Sequence, residues 1–187
     1  MLRRIALGGV ALVVALAFFI ATQPADFAIV RSATIQAPAE AIYPRIQDLR
    51  AMNEWSPFAK MDPALKITYD GPAAGVGASS AWEGPEAGKG RQTITAVKPN
   101  QEVEIRLDFL EPVEATNRAV FTLTPAAGGG TTVGWRMEGE RGFAGKAFAV
   151  LSGMDGAIGE EFEKGLAALE ALAEAKRQEA GAPVPGD

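Results

Sequence analysis

The sequence predicts an α+β fold: a curved antiparallel sheet of about seven strands, wrapped on a long C-terminal helix and preceded by an N-terminal transmembrane helix. Three observations predict it. Short β-type runs separated by turn residues recur from Lys66 to Met137. An apolar stripe at three- and four-residue steps runs from Leu151 to Leu172. A charge-free apolar run opens the chain.

That opening run, Ile5 to Ala21, is seventeen residues long, follows Arg3 and Arg4, and ends at Thr22-Gln23-Pro24. As a helix rising about 1.5 Å per residue it spans about 25 Å, a little short of a hydrocarbon core of about 30 Å, and flanking residues can supply the rest. The competing readings are a cleaved signal peptide, whose apolar region is usually shorter and ends at a small-x-small site, and a buried core helix. The paired arginines place the N-terminus in the cytoplasm and everything after Pro24 on the far side. The expected location is therefore the inner (cytoplasmic) membrane, single-pass, with the domain periplasmic or extracellular, or secreted if the segment is cleaved.

Alternation at Phe27 and Ile29, continuing to Ile35, predicts a first strand that ends at Ala37-Pro38. Pro38 then opens a short helix carrying Ile42, Ile46 and Leu49, with Pro44 tolerable only in a first turn or as a kink. A second short helix, about Ala51 to Trp55, stops before Ser56-Pro57. Six strands follow: Lys66–Tyr69, Ala78–Trp82, Gly90–Val97, Glu102–Phe109, Ala115–Thr124 and Thr131–Met137. Val103 to Phe109 alternates apolar odd with charged even positions, and Ala119, Phe121, Leu123 and Val133, Trp135, Met137 keep that parity, so one face is buried and the other wet. Leu151, Met154, Ile158, Phe162, Leu166, Leu169 and Leu172 predict one continuous closing helix. The expected organisation is residues 1–24 as anchor and linker, 25–176 as the folded domain, and 177–187 as a disordered tail.

Composition excludes more than it proposes. The 187 residues contain no Cys and no His, which removes disulfides, thiolate and imidazole metal ligands, Cys nucleophiles and Ser-His-Asp triads. Net charge is −5, and −7 once Arg3 and Arg4 are set aside with the anchor, against both nucleic-acid backbones and anionic membrane surfaces. No metal, nucleotide or other cofactor is implied. Gly71 to Gly77 reads G-x-x-x-G-x-G and Gly84 to Lys89 reads G-x-x-x-G-K; both miss the phosphate-binding spacings and are read as hairpin turns.

The remaining candidates each have a plainer reading. Arg106 between Glu104 and Asp108 would make a polar ligand anchor, but apolar odd positions must face the core, which leaves these three on a solvated face with ion pairs worth under about 1 kcal/mol each. Glu83 and Glu138 would serve as acid/base groups only if they turned inward. Gly153, Gly156 and Gly159 are read as close packing of the last helix on the sheet, or as a soft segment hinged at Gly142 and Gly145.

Several stretches together resemble one family. Ala37-Pro38-Ala39-Glu40-Ala41-Ile42-Tyr43 and Asn53-Glu54-Trp55-Ser56-Pro57-Phe58 are similar to the opening of the SRPBCC (START-like, helix-grip) superfamily. Tyr69-Asp70-Gly71-Pro72, Gly75-Val76-Gly77, Trp82-Glu83-Gly84, Phe109-Leu110-Glu111-Pro112 and Glu161-Phe162-Glu163-Lys164-Gly165-Leu166-Ala167-Ala168-Leu169 continue it. The resemblance is to the polyketide cyclase/dehydrase-like branch over about Phe27 to Ala175. It implies an apolar cavity between sheet and C-terminal helix, but no particular chemistry, since fold does not determine function.

The expected cavity lining is Trp55, Phe58, Trp82, Phe109, Phe121, Trp135, Met154 and Ile158, residue types that serve equally as plain core. The expected partners are a hydrophobic small molecule or lipid and, through the N-terminal helix, a membrane. No catalytic residue is identified, and the missing His and Cys favour a container over a catalyst. A cyclase- or dehydrase-like enzyme and a protein-interaction module are the alternatives.

Overall fold

The computed structural model describes the backbone of residues 2–179 and the side chains of residues 8–175. Helix α1 spans Leu2–Thr22, and β1 (Asp26–Ile35) follows after a three-residue link. Three short helices come next, α2 (Ala39–Ile42), α3 (Pro44–Gln47) and α4 (Leu49–Trp55), then a 3₁₀ turn at Pro57–Lys60. Six strands follow: β2 (Lys66–Asp70), β3 (Ser79–Gly84), β4 (Gly88–Lys98), β5 (Glu102–Glu111), β6 (Ala115–Pro125) and β7 (Thr131–Glu140). Two helices close the chain, α5 (Phe143–Ser152) and α6 (Met154–Glu179).

The strands form one antiparallel sheet in the order β1-β7-β6-β5-β4-β3-β2, so the two edge strands are consecutive in the chain and α2–α4 carry it from one edge to the other. Register aligns the apolar odd positions: Ile29, Met137, Ala119 and Ile105 lie in one cross-strand row, and Trp135, Phe121 and Val103 in the next. An irregularity in β4 between Ile94 and Ala96 puts an extra residue opposite β5, and such bulges bend a sheet. The concave face packs on α6 through Phe162, Leu166, Leu169 and Ala173, all buried.

The predicted fold class is therefore present as an α+β, helix-grip arrangement with seven strands, and the structure corrects several of its details. Pro44 is neither within a first turn of α2 nor a kink; it starts a new helix, α3, because its ring needs no N–H at that position. The closing helix is not continuous. Gly153 adopts a left-handed conformation (φ 65°) and caps α5, so α6 begins a new axis. Leu151, the first residue of the predicted stripe, is accordingly 69% exposed on α5. The glycines divide too. Gly159 has the Arg31 guanidinium where a Cβ would sit, whereas Gly156 has open space there. Among the described residues no helix is long and apolar enough to cross a membrane; those of α1 with described side chains begin at Gly8, inside the run Ile5–Ala21. α6 extends to Glu179, and the rest of the predicted tail lies outside the described residues.

Candidate functional site

Between the concave face, α6 and the 3₁₀ turn lies a cavity of about 500 Å³, within the size range of small-molecule sites. Strand alternation builds most of its wall. Odd positions of β5, β6 and β7 present Leu107, Phe109, Ala119, Phe121, Trp135 and Met137, and α6 contributes Ile158 and Phe162. Phe58 and Met61, which follow the helix-stopping Ser56-Pro57, cover the cavity from the side of the 3₁₀ turn.

Aromatic rings order the wall in two groups. Trp135 stacks flat on Phe162 (centroids 4.1 Å, planes 4° apart) and meets Phe58 edge-on at 6.0 Å. Across the cavity Trp82 meets Phe109 edge-on at 5.6 Å. Two glycines make these positions available. A Cβ on Gly165 would lie 2.8 Å from the Trp135 ring, and one on Gly90 would overlap the Trp82 ring. Glycine at these sites is a requirement of close approach.

Six of the eight residues expected to line the cavity do so: Phe58, Trp82, Phe109, Phe121, Trp135 and Ile158. Trp55 and Met154 do not. Trp55 is 1% exposed, packed edge-on against Phe121 and Trp135, with its indole N–H donating to the Arg45 carbonyl at 3.0 Å. It supports the wall from behind. Met154 starts α6 beyond the break at Gly153, one turn before the cavity.

The polar features of the wall escaped sequence reading. Ser80 Oγ accepts from Gln92 Nε2 at 3.0 Å, both on cavity-facing positions of β3 and β4. Asn53, also on the wall, donates to the Tyr69 hydroxyl at 2.7 Å. Polar residues at inward parity in Ser80 and Gln92 were the available signal. Asp62 is a further positioning residue. It is 3% exposed and accepts from the backbone N–H groups of Ala64 (2.8 Å), Glu86 (2.9 Å) and Ala87 (3.1 Å). Burial pushes its carboxyl up, but the Glu86, Ala64 and Ala87 donors outweigh that and hold it below the usual carboxylate range. Asp62 thus ties the β3–β4 turn, whose Glu86 and Ala87 line the cavity, to the segment bearing Met61. Its sequence signal was Asp62-Pro63 ahead of a strand, a turn in which Asp bonds the backbone two residues on.

The acidic candidates lie outside the cavity. Glu138 is paired with Arg136 (2.6 Å) and Arg118 (2.8 Å), which hold its carboxyl below the usual range. Glu104 pairs with Arg118 and Asp108 with Arg106 at 2.9 Å, so the charged even positions form the ion-paired outer face that parity predicts. Glu83 pairs with Lys89 at 3.4 Å. Glu86 is the one ionisable side chain on the cavity wall, and it is exposed. Among the described residues no group of acidic side chains could hold a metal ion.

The family model for polyketide cyclase / dehydrase and lipid transport matches residues 26–174. The chain belongs to that family. No curated protein matches it in sequence. Among solved structures it is similar to protein MLL2253 from Mesorhizobium loti, with 18% identity and a TM-score of 0.59, covering 80% of this chain and 98% of that one. Protein Ms6760 from Mycobacterium smegmatis is 21% identical with a TM-score of 0.56, over 80% and 92% of the two chains. The di-domain ARO/CYC BexL from the BE-7585A biosynthetic pathway is 13% identical with a TM-score of 0.56, over 83% of this chain and 52% of BexL. At these identities the likeness shows the shared helix-grip fold. Membership in the family agrees with a domain built around a hydrophobic cavity.

Proposed function

We propose that this family member is a membrane-tethered domain that binds one small apolar or amphipathic ligand, lipid-like or polyketide-like, in the cavity beneath its sheet. The observation that carries the reading is the wall itself: mostly aromatic and aliphatic side chains, with Asn53, Ser56, Ser80, Gln92 and the exposed Glu86 as its polar members. Such a lining rewards transfer of apolar surface from water and leaves hydrogen-bonding capacity for one polar end of a ligand. Proton transfer needs a titratable group within reach of the substrate, and Glu86 is the sole wall residue of that kind. This supports binding over cyclase- or dehydrase-type turnover. The tether is the run Ile5–Ala21, with Arg3 and Arg4 on the cytoplasmic side and the domain on the other.

The test is native mass spectrometry of the full chain released from detergent, with bound organics extracted and identified. A lipid or polyketide at one per chain is the expected result; a consistently empty protein overturns the proposal. Resistance of the chain to alkaline extraction from membranes, with its N-terminus intact by sequencing, is expected of the tether. A mature chain beginning after Ala21 would instead establish a cleaved signal.

A further inference from the structure

Helix α5 wears its amphipathicity inside out. At about 100° per residue, Phe143, Ala147, Phe148, Val150 and Leu151 share one side, and Gly145, Lys146 and Ala149 lie round the other. In a helix packed on its own domain the large apolar side would be buried. Here no residue of α5 is buried, the partly covered ones are Gly145, Lys146, Ala147 and Ala149, and Phe148 and Leu151 are 60% and 69% exposed.

Polar contacts nonetheless orient the helix. Arg141, just before it, donates its backbone N–H to the Ala25 carbonyl at 2.8 Å and both terminal guanidinium nitrogens to the Asp155 carboxylate on α6 at 2.5 and 3.0 Å. Lys146 turns its ammonium away from the apolar side, onto the Gln23 carbonyl at 2.6 Å. α5 also touches α1, whose Val10, Leu12, Val13, Val14, Leu16, Phe18 and Phe19 are exposed as well. Only Ile20 is buried among the described side chains of α1. The two helices thus offer one apolar surface, with no carboxylate on α5 and its one cation engaged.

We infer that this surface seats in a lipid bilayer: α5 lies in the interface of the membrane that α1 enters, so that the domain rests on that membrane by its α5 end. The inference builds on the tether reading. Lipid is the occupant that fits because the surface continues the charge-free run Ile5–Ala21 and exposes large apolar groups without a polar rim on α5. Electrostatics does not supply the contact, since the chain beyond the anchor carries −7. The cavity lies at this end of the sheet. β7 runs from Met137 on the cavity wall to Glu140 and then into α5, and Ile158 on the wall is one turn into α6. An apolar ligand then passes between bilayer and cavity with little exposure to water.

The chain has no cysteine, so a single introduced one carries a unique label. An environment-sensitive fluorophore is placed on full-length L151C (α5), V14C (α1) and V76C. Val76 is exposed in the β2–β3 loop, at the opposite end of the sheet. Each is reconstituted into neutral phosphatidylcholine vesicles with and without nitroxide-bearing lipid. The expected result is blue-shifted, lipid-quenched emission at positions 14 and 151 and neither effect at 76, unchanged by high salt. Quenching at 14 with position 151 behaving like 76 overturns the inference and leaves the tether standing. Quenching at neither 14 nor 151 overturns both. A blue shift at 151 without lipid quenching means that protein, such as a second copy, covers α5, and this too overturns the inference.

Discussion

Trp55 and Trp82 are the same residue type, and truncating each separates supporting core from ligand wall. Trp55 is fully buried, so Trp55→Ala loses the transfer and cavity terms of a large aromatic, about 3–5 kcal/mol, and strands the Arg45 carbonyl that its indole N–H satisfies, about 1 kcal/mol more. Against a typical domain stability of about 5–15 kcal/mol, that removes much of the margin. Trp82 is half-buried and edge-on to Phe109. Its truncation costs about 2 kcal/mol, from partial burial and one aromatic pair. With a urea slope of about 2 kcal/mol/M, the midpoint falls by about 2 M or more for Trp55→Ala and by about 1 M for Trp82→Ala. The assay is urea unfolding of the full chain in mild detergent, followed by circular dichroism, beside titration with the apolar dye N-phenyl-1-naphthylamine. Trp82→Ala should change dye affinity while Trp55→Ala acts mainly by lowering the folded fraction. Equal midpoint shifts, or unaltered dye affinity in Trp82→Ala, would refute the assignment of one tryptophan to the core and the other to the wall.

Three further outcomes are expected. Gly90→Ala places a methyl into the Trp82 ring and 2.7 Å from the Asp108 carbonyl, so it should cost about 1–3 kcal/mol in unfolding experiments and weaken dye binding by driving Trp82 into the cavity. Asp62 has a folded-state pKa below its unfolded value of about 3.9, so its contribution is complete above that value and disappears as pH falls through the lower folded one. Asp62→Asn should therefore be less stable at neutral pH, with a shallower acid limb in stability-versus-pH curves; an acid limb as steep as the parent's would contradict the assignment. With the full chain in mild detergent and no bilayer to cover α5, hydrogen exchange should be faster over Phe143–Gly159 than over Glu160–Leu172, because α5 has no buried residue whereas Phe162, Leu166 and Leu169 anchor the core, and equal protection would exclude a soft entrance.

The fold was legible wherever periodicity was unambiguous. Val103 to Phe109, Ala119 to Leu123 and Val133 to Met137 declare their buried parity in the sequence, and the structure joins these residues in register on one face. Strand order was not legible, since pairing β1 with β7 depends on contacts between distant parts of the chain. The break at Gly153 was hidden because a three- and four-residue apolar spacing continues across it, and spacing does not report a left-handed φ. At the site, residue type alone could not divide Trp55 from Trp82. That division depends on which side of α4 faces the cavity, since Met52 and Asn53 line it and Trp55 does not, and on Trp82 of β3 lying in the wall. Ser80 and Gln92 went unremarked because strands β3 and β4 lack clean alternation, which makes an inward polar residue hard to tell from an outward one.

The strand order also has a consequence for synthesis. Because β1 bonds only to β7, an N-terminal strand emerging early waits with both edges unpaired until nearly the whole domain has been made. α6 follows later still, and without it Phe162 and Ile158 leave one side of the cavity open. The container is completed by α6, which follows every strand of the sheet, so a ligand present during biogenesis meets an open trough until that helix packs.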